Sequence, residues 1–429
     1  MSYTYLLFFL IFSISFIWDF EKTIMIYTPL KLIFHSGIYL IDASFSLNLD
    51  LAISFVAIVV YCFYASKYRA YKMPQWMLCS GVIYCIGLFI YGGYPRFAPH
   101  TFFYEPITAI LYIFVLFKVI NRKTQLKQLL SGFVVVSLIL VLDGIIDVIF
   151  GVNIITSLES ILGGERFDLS DNVISRAEVP RTTSFMLHSI SMGTLSVFLW
   201  EVFILLSLEY STFIKNDWKF KLAILTLPVC MVFSNSRTTI LTLLCSLPIF
   251  LRQNKLSKDI TIFVLVSVVA IGLLYQDYFL WLYKSLFYES QMDIGGSTTE
   301  LRERQLEIAL YYFFEKPVFG QGIDFDLLKF EEQRDVMGME SVWFGLMFKR
   351  GFVGLCTYVL PIFISSFYLI KYNKILGVFV LSWLTSITFS TQMGLSIFFY
   401  FFTVFTFYKI IEIKKHNNGL VYHYTSIQC

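Results

Sequence analysis

The chain has 429 residues, of which 57% are apolar and only 15% are charged. Because a soluble domain carries about 25% charged residues, this composition excludes a soluble globular protein and indicates one embedded in a lipid bilayer. The net charge of +3 is small, and we expect no nucleic acid among the partners. No Cys-x-x-Cys pair occurs among the seven cysteines, so neither a disulfide framework nor a zinc site is expected.

Long apolar runs recur along the whole chain and predict an all-α, polytopic integral membrane protein with about 12 transmembrane helices, since a span needs about 20 apolar residues. The first run lacks a basic leader and a small-residue cleavage site, so we expect a retained helix. Segment 19–46 is interrupted by Pro29, Lys31, His35 and Asp42. We interpret it as an interfacial stretch; if it spans, the count becomes thirteen. The predicted spans are 3–18, 47–66, 76–94, 105–120, 129–150, 182–207, 220–234, 238–251, 260–281, 351–370, 375–392 and 395–411.

Basic residues alternate with the spans and predict the orientation. With the N-terminus inside, every second loop or end is basic: together these hold 17 lysines and arginines and four acids. Since basic residues in short loops stay cytoplasmic, we expect both termini in the cytoplasm. A thirteen-span version with the C-terminus inside would place the N-terminus outside and leave the other loops unchanged.

Two loops of substantial length fall on the opposite side, at 151–181 and 282–350. They divide the chain into helices 1–9 with their outer loop (1–281), a large outer loop (282–350) and C-terminal helices with a tail (351–429). Within the large loop, Ser297 and Glu300 have capping-box spacing, which predicts a helix to about Phe314. Pro317 ends it, Gly320 and Gly322 permit a tight turn, and a second short helix is predicted at about 341–348.

Arginines at the outer membrane surface are the strongest chemical signal. Arg181 precedes a span, Arg237 breaks the apolar stretch 220–251, and Arg302 and Arg304 begin the loop helix. A guanidinium grips phosphate oxygens through two parallel hydrogen bonds. If these segments converge, they form a pocket for a pyrophosphate carried on a lipid; the alternative is that each arginine reaches lipid headgroups or pairs with a loop carboxylate.

Carboxylates inside predicted spans raise a different hypothesis. Asp143 and Asp147 lie four residues apart on one helix face, and Glu201 lies deep in 182–207. Intramembrane acids are usually functional, which favours an ion-coupled carrier or a flippase. We interpret Asp143 and Asp147 instead as groups that contact sugar hydroxyls or pair with an arginine.

Four short motifs, in order over roughly residues 175–370, resemble the superfamily of O-antigen polymerases (Wzy) and O-antigen ligases. They are Arg181-Thr-Thr-Ser-Phe before a span, Asn235-Ser-Arg-Thr-Thr239, the loop helix from Arg302 that ends in Pro317-Val-Phe-Gly-Gln-Gly322, and Glu340-Ser341 followed by Arg350-Gly-Phe-Val-Gly-Leu355. The layout is GT-C-like, and Asp19 and Glu21 resemble the acidic pair in the first outer loop of that class.

The resemblance implies a periplasmic, metal-independent transfer of glycan from an undecaprenyl-pyrophosphate-linked donor in the bacterial inner membrane. Arg181, Arg237, Arg302 and Arg304 would bind the pyrophosphate, and no cofactor is expected. Ligases of this superfamily have a histidine in the large loop, but 282–350 contains none; this favours a polymerase, with ligase as the alternative. Glu340 or His188 would orient or deprotonate the acceptor hydroxyl, and a chain-length regulator is a further candidate partner.

Overall fold

The structure is a computed structural model. It describes residues 3–33, 39–41, 47–68, 73–89, 103–154, 157–158, 175–176, 179–180, 182–184, 186, 189–209, 217–234, 236–251, 299–322, 325, 341–372, 374, 376–389 and 394–417. This part of the chain is mostly helical. The predicted span 260–281 and much of both long loops lie outside it.

Apolar helices with polar capping residues form the described fold. Asp19 and Asn48 cap two helix starts through their side chains, and Gly151 ends a helix with a left-handed backbone (φ 65°). The helices are α1 (Tyr3–Trp18), α2 (Phe20–Leu30), α3 (Leu49–Tyr64), α4 (Gln75–Phe89), α5 (Tyr112–Val119), α6 (Lys123–Phe150), α7 (Ser189–Glu209), α8 (Trp218–Phe233), α9 (Arg237–Leu251), α10 (Thr299–Glu315), α11 (Val342–Tyr372), α12 (Leu376–Thr388) and α13 (Gly394–Asn417).

Short irregular elements join these helices. A 3-10 turn (Ala65–Tyr68) extends α3, and a π-helical stretch (Pro106–Leu111) leads into α5. Two antiparallel strand pairs are also present: β1 (Tyr39–Ile41) with β2 (Leu47–Asn48), and β3 (Ser175–Arg176) with β4 (Val179–Pro180).

Four helical segments of the described chain are long and apolar enough to cross a membrane. This agrees with a multi-pass helical membrane protein, whereas the count of twelve spans and the division at 281 and 350 stay predictions. The four segments are Leu49–Tyr68, Lys123–Phe150, Ser189–Leu206 and Val342–Tyr372.

Aromatic side chains fill the space between the helices. Phe133 of α6 packs on Phe402 of α13 with ring centroids 4.3 Å apart, and Trp383 of α12 packs on Tyr400 at 5.0 Å. At one end of α4, Trp76 stacks on Tyr368 of α11. Part of the aromatic content therefore stabilises helix contacts inside the bundle.

The first part of segment 19–46 forms α2, and one face of this helix is buried in the bundle; whether the segment is interfacial stays a prediction. Tyr27 is fully buried, and Lys31, just after α2, is 3% exposed. The Lys31 ammonium lies 2.6 Å from Asp50 and also donates to Ser54. A buried charge requires such a partner, and the sequence pattern gave no indication that Asp50 would supply it.

Asp19 and Glu21 lie at the same end of the bundle as the basic loops, whereas an outer loop would place them at the opposite end. Glu21 pairs with Lys67 at 2.9 Å and accepts hydrogen bonds from Tyr68 and Gln125. These acids therefore lie at the end of the bundle that we predict to be cytoplasmic, and α1 runs towards that end. The arrangement matches the thirteen-span version, with the start of α1 at the opposite end.

Close helix packing at Gly87 provides a test of the fold. A Cβ at Gly87 of α4 would overlap the side chain of Thr357 on α11, whereas nothing lies within 4 Å of a Cβ at Gly345. We expect Gly87→Ala to lower the free energy of unfolding by about 1–3 kcal/mol, as in other overpacked contacts. Thermal unfolding in detergent measures this, with Gly345→Ala as the matched control. Equal melting temperatures for the two variants would contradict the packing.

Candidate functional site

The structure describes the predicted site residues unevenly. Arg181, His188 and Glu340 lie outside the described residues, and for Arg237 only its place at the start of α9 is described. Arg302, Arg304, Asp143 and Asp147 are described with their side chains. Chain segments that adjoin the other predicted residues are described.

The residue after Arg181 is held against the end of α8. The Thr182 amide donates to the Phe233 carbonyl at 3.2 Å, and Arg237 begins the next helix four residues further on. Gly193 of α7 lies against the same break, where an added Cβ would be 2.5 Å from Ser234 Oγ. Two of the arginine-bearing segments are thus neighbours.

Asp143 and Asp147 anchor the segment that follows Arg181. Asp143 accepts from the Ser184 hydroxyl at 2.8 Å and from the Ile154 amide at 2.9 Å, and Asp147 accepts from the Thr182 hydroxyl. Ser184 is fully buried and has a positive φ of 49°. A non-glycine residue holds this backbone only where its surroundings impose it. Both carboxylates hold the chain itself, and their contact with glycan stays a prediction.

The end of α12 connects the third arginine to the other two. The Thr238 hydroxyl, next to Arg237, donates to the Phe389 carbonyl at 3.0 Å, and the Arg302 guanidinium lies 5.1 Å from the Phe389 ring centroid. Trp343 Nε1 donates to Thr388 Oγ1 at 2.9 Å. We call residues 388 and 389 the α12 junction. It joins the start of α9, the start of α10 and the first turn of α11.

The cation–π contact leaves the chemistry of Arg302 intact. A guanidinium that lies over an aromatic face keeps its N–H donors in the plane of the group, where phosphate oxygens are recognised. Arg304 is exposed and lies about 200° further around the helix. It therefore belongs to a different face of α10 from Arg302, and its predicted contact with pyrophosphate remains untested.

The glycine-rich turn after α10 is bonded to the point where the chain re-enters the bundle. Four backbone hydrogen bonds of 2.7–3.1 Å join residues 317–322 to residues 348–353. Gly320 and Gly351 have φ values of 72° and 61°, and a Cβ on either would lie within 2.7 Å of the facing backbone. This contact explains the pairing of Pro-x-x-Gly-x-Gly with Arg-Gly: only glycine fits at both positions.

A second polar cluster beside the junction was missed from the sequence. Trp343 packs on Tyr358, and Tyr358 packs on Tyr84, with centroids 6.1 Å apart in both pairs. Tyr84 donates to Glu105 and interacts electrostatically with Arg350, which is 8% exposed. The signal was weak: Glu105 merely opens an apolar run, and Arg350 follows another basic residue.

Phe389 and Thr388 were also missed, because an aromatic and a threonine at a helix end are ordinary in so apolar a chain. Within the described residues no group of three His, Cys, Asp or Glu side chains is placed to hold a metal ion. The arrangement holds the Arg302 guanidinium on a fixed backbone frame, and a cation held in this way suits binding of an anionic group.

The anchoring role of Asp143 predicts a stability effect. In Asp143→Ala the Ile154 amide loses its acceptor, and the buried Ser184 hydroxyl keeps only the longer contact of 3.3 Å to the Leu140 carbonyl; an unsatisfied buried group costs about 1–3 kcal/mol. We therefore expect a clearly lower melting temperature in detergent. Ile149→Ala on the same helix is the control, since Ile149 is 64% exposed. An Asp143→Ala protein as stable as that control would show that 182–184 is held by other contacts.

Comparison with known proteins agrees with this geometry. Residues 222–359 match the family described as O-antigen ligase. The match begins in α8 and ends in α11, so it contains Arg237, Arg302 and the turn bonded to the re-entry point. None of the curated proteins matches the chain. This match supports the resemblance of the chain to the O-antigen ligase and polymerase superfamily.

Proposed function

We propose that the chain is an O-antigen polymerase of the bacterial inner membrane, with its active site facing the periplasm. It transfers a growing glycan from undecaprenyl pyrophosphate to a hydroxyl of an incoming lipid-linked repeat unit. The bond between the anomeric carbon and the pyrophosphate oxygen breaks, and a glycosidic bond to the acceptor oxygen forms. The acceptor proton passes to a base, and undecaprenyl pyrophosphate leaves.

The observation that carries this proposal is the convergence of arginine-bearing segments. Thr182 is bonded to Phe233, and the α12 junction joins the start of α9 to Arg302. Arg181, Arg237 and Arg302 would contact the pyrophosphate, and Arg304 would add positive charge. Since negative charge grows on the pyrophosphate as the sugar leaves, fixed cations lower the barrier more than they stabilise the bound donor.

The acceptor side of the reaction needs a base or an orienting group. We assign this role to Glu340 or His188. Glu340 immediately precedes Ser341, which is 4% exposed and whose hydroxyl accepts from the Trp343 amide at the start of α11. Trp343 contacts the α12 junction, and Glu340 is the chain neighbour of Ser341, which supports Glu340 over His188.

A ligase is the second candidate, because the matched family carries that description. The absence of histidine from 282–350 argues for the polymerase.

A carrier is the third candidate, favoured by Glu201, which is fully buried and accepts from Ser246. Elongation by purified protein in detergent, where no ion gradient exists, would exclude the carrier.

Arg302 provides the test of the site. We expect Arg302→Ala to lower elongation of purified lipid-linked repeat units at least 100-fold, since one charged donor at a developing anion contributes about 3–4 kcal/mol. Arg302→Lys keeps the charge but loses the paired N–H donors, so its elongation rate should fall between those of Arg302→Ala and the wild type. Lys316→Ala removes one exposed charge from the same loop and serves as the control. Elongation by Arg302→Ala at the control rate would overturn the assignment.

Deletion of the gene distinguishes the two enzymes. Loss of a polymerase leaves lipid A-core capped by single repeat units, because ligation continues without elongation. Loss of a ligase leaves bare core. We expect single capped units on a lipopolysaccharide gel, with long chains restored by the wild-type gene; bare core would show that the chain is the ligase.

A further inference from the structure

A groove of about 640 Å³ runs along the outside of the bundle between α2 and α6. One end is polar and is lined by residues that include Asp19, Lys22 and Arg122. The remainder is mainly apolar and is lined by residues that include Ile26, Val135 and Ile139. A groove that is polar at one end and apolar along the rest suits a lipid molecule, which has a polar headgroup and an apolar chain, better than a sugar.

The two helices that form the groove touch along its floor. A Cβ at Gly132 would lie 2.6 Å from the Pro29 ring, so this ring packs directly on the α6 backbone. At the polar end, Gln125 of α6 donates to Glu21 of α2 at 2.9 Å. The groove is therefore a defined concavity on a closed helix pair.

The dimensions match one leaflet of a bilayer. The polar end lies beside Lys67, through its ion pair with Glu21, at the end of the bundle where α6 begins. From Gln128 to Ile139, both lining residues, the helix rises about 16 Å. Half of a hydrocarbon core is about 15 Å thick, so the apolar part accommodates an acyl chain of a single leaflet.

The charges at the polar end select the headgroup. Lys22 and Arg122 provide cations, whereas Asp19 and Glu21 provide carboxylates in the same lining. An anionic headgroup would meet both carboxylates, and a choline-type cation would have no proton to donate to them. A phosphate linked to a primary ammonium matches both signs, because the ammonium donates hydrogen bonds to carboxylate while the phosphate accepts from guanidinium.

We propose that this groove binds a zwitterionic aminophospholipid, of the phosphatidylethanolamine type, from the leaflet at the basic end of the bundle. Its phosphate lies at Arg122 and Lys22, and its ammonium lies at Asp19. One acyl chain lies along Ile26, Val135 and Ile139. The site is separate from the α12 junction and does not depend on the proposed polymerase activity.

Native mass spectrometry of the full chain in detergent tests the acyl part of the site. The probe is an equimolar mixture of phosphatidylethanolamine and phosphatidylglycerol. Val135→Trp fills the groove from a position that is 47% exposed, and Leu142→Trp, seven residues further on the same helix and 60% exposed, lies outside the lining. We expect the wild type and Leu142→Trp to retain phosphatidylethanolamine, and Val135→Trp to retain at least fivefold less.

Equal retention by the two tryptophan variants would overturn the proposal, because it would identify the lipid as nonspecific. Preferential retention of phosphatidylglycerol would overturn it as well.

The headgroup part is tested by Arg122→Gln against Lys127→Gln, which removes an exposed charge one turn away. Arg122 caps α6 through its backbone N–H and C=O groups, so Arg122→Gln should leave the start of α6 intact. We expect only Arg122→Gln to lose at least threefold in retention, and equal values would contradict the headgroup assignment.

Discussion

Polar groups inside a bilayer must find partners within the protein, and this constraint determines how the bundle is held together. Lys31 is neutralised by Asp50, which also accepts from Tyr27. Asp143 accepts from a hydroxyl and a backbone amide. In each case the partner comes from a different part of the sequence. A polar contact therefore specifies which helices are neighbours, whereas the buried phenylalanines are too alike to specify a partner.

Backbone pairing also holds the glycine-rich turn. Buried backbone N–H and C=O groups need hydrogen-bond partners, and the turn at 317–322 finds them in the backbone at 348–353. Because the two stretches approach so closely at Gly320 and Gly351, α10 cannot move independently of the start of α11. The start of α11 also contacts the α12 junction, where Arg302 is placed, so α10, α11 and this junction are connected. Rigid placement of the cation is what electrostatic stabilisation of a leaving group requires.

Features that depend on local pattern could be predicted from the sequence. The helix Thr299–Glu315 ends before Pro317 as predicted, and the glycines at 320 and 322 do adopt positive φ; the predicted capping box at Ser297 lies outside the described residues. Features that depend on pairing could not. The short helix α2 is buried only because Asp50 neutralises Lys31, and Arg302 is placed by Phe389, an aromatic indistinguishable in sequence from 45 other phenylalanines. Asp143 and Asp147 were recognised as important, but their use as anchors required knowing that 182–184 lies beside them.

Helix α6 connects these observations, because it contacts the bundle closely at two levels. A Cβ at Gly132 would lie 2.6 Å from Pro29, and one at Gly144 would lie 2.7 Å from Met192. At both levels a side chain of the neighbouring helix fills the space that the glycine leaves, and packed interiors are not continuously deformable. A shift of α6 along its axis by even part of a turn would separate Asp143 from Ser184. The position of the segment that follows Arg181 is thus set by the same helix that forms one wall of the lipid groove at its other end, so the packing of α6 against α2 and α7 is a requirement for the geometry of the arginines.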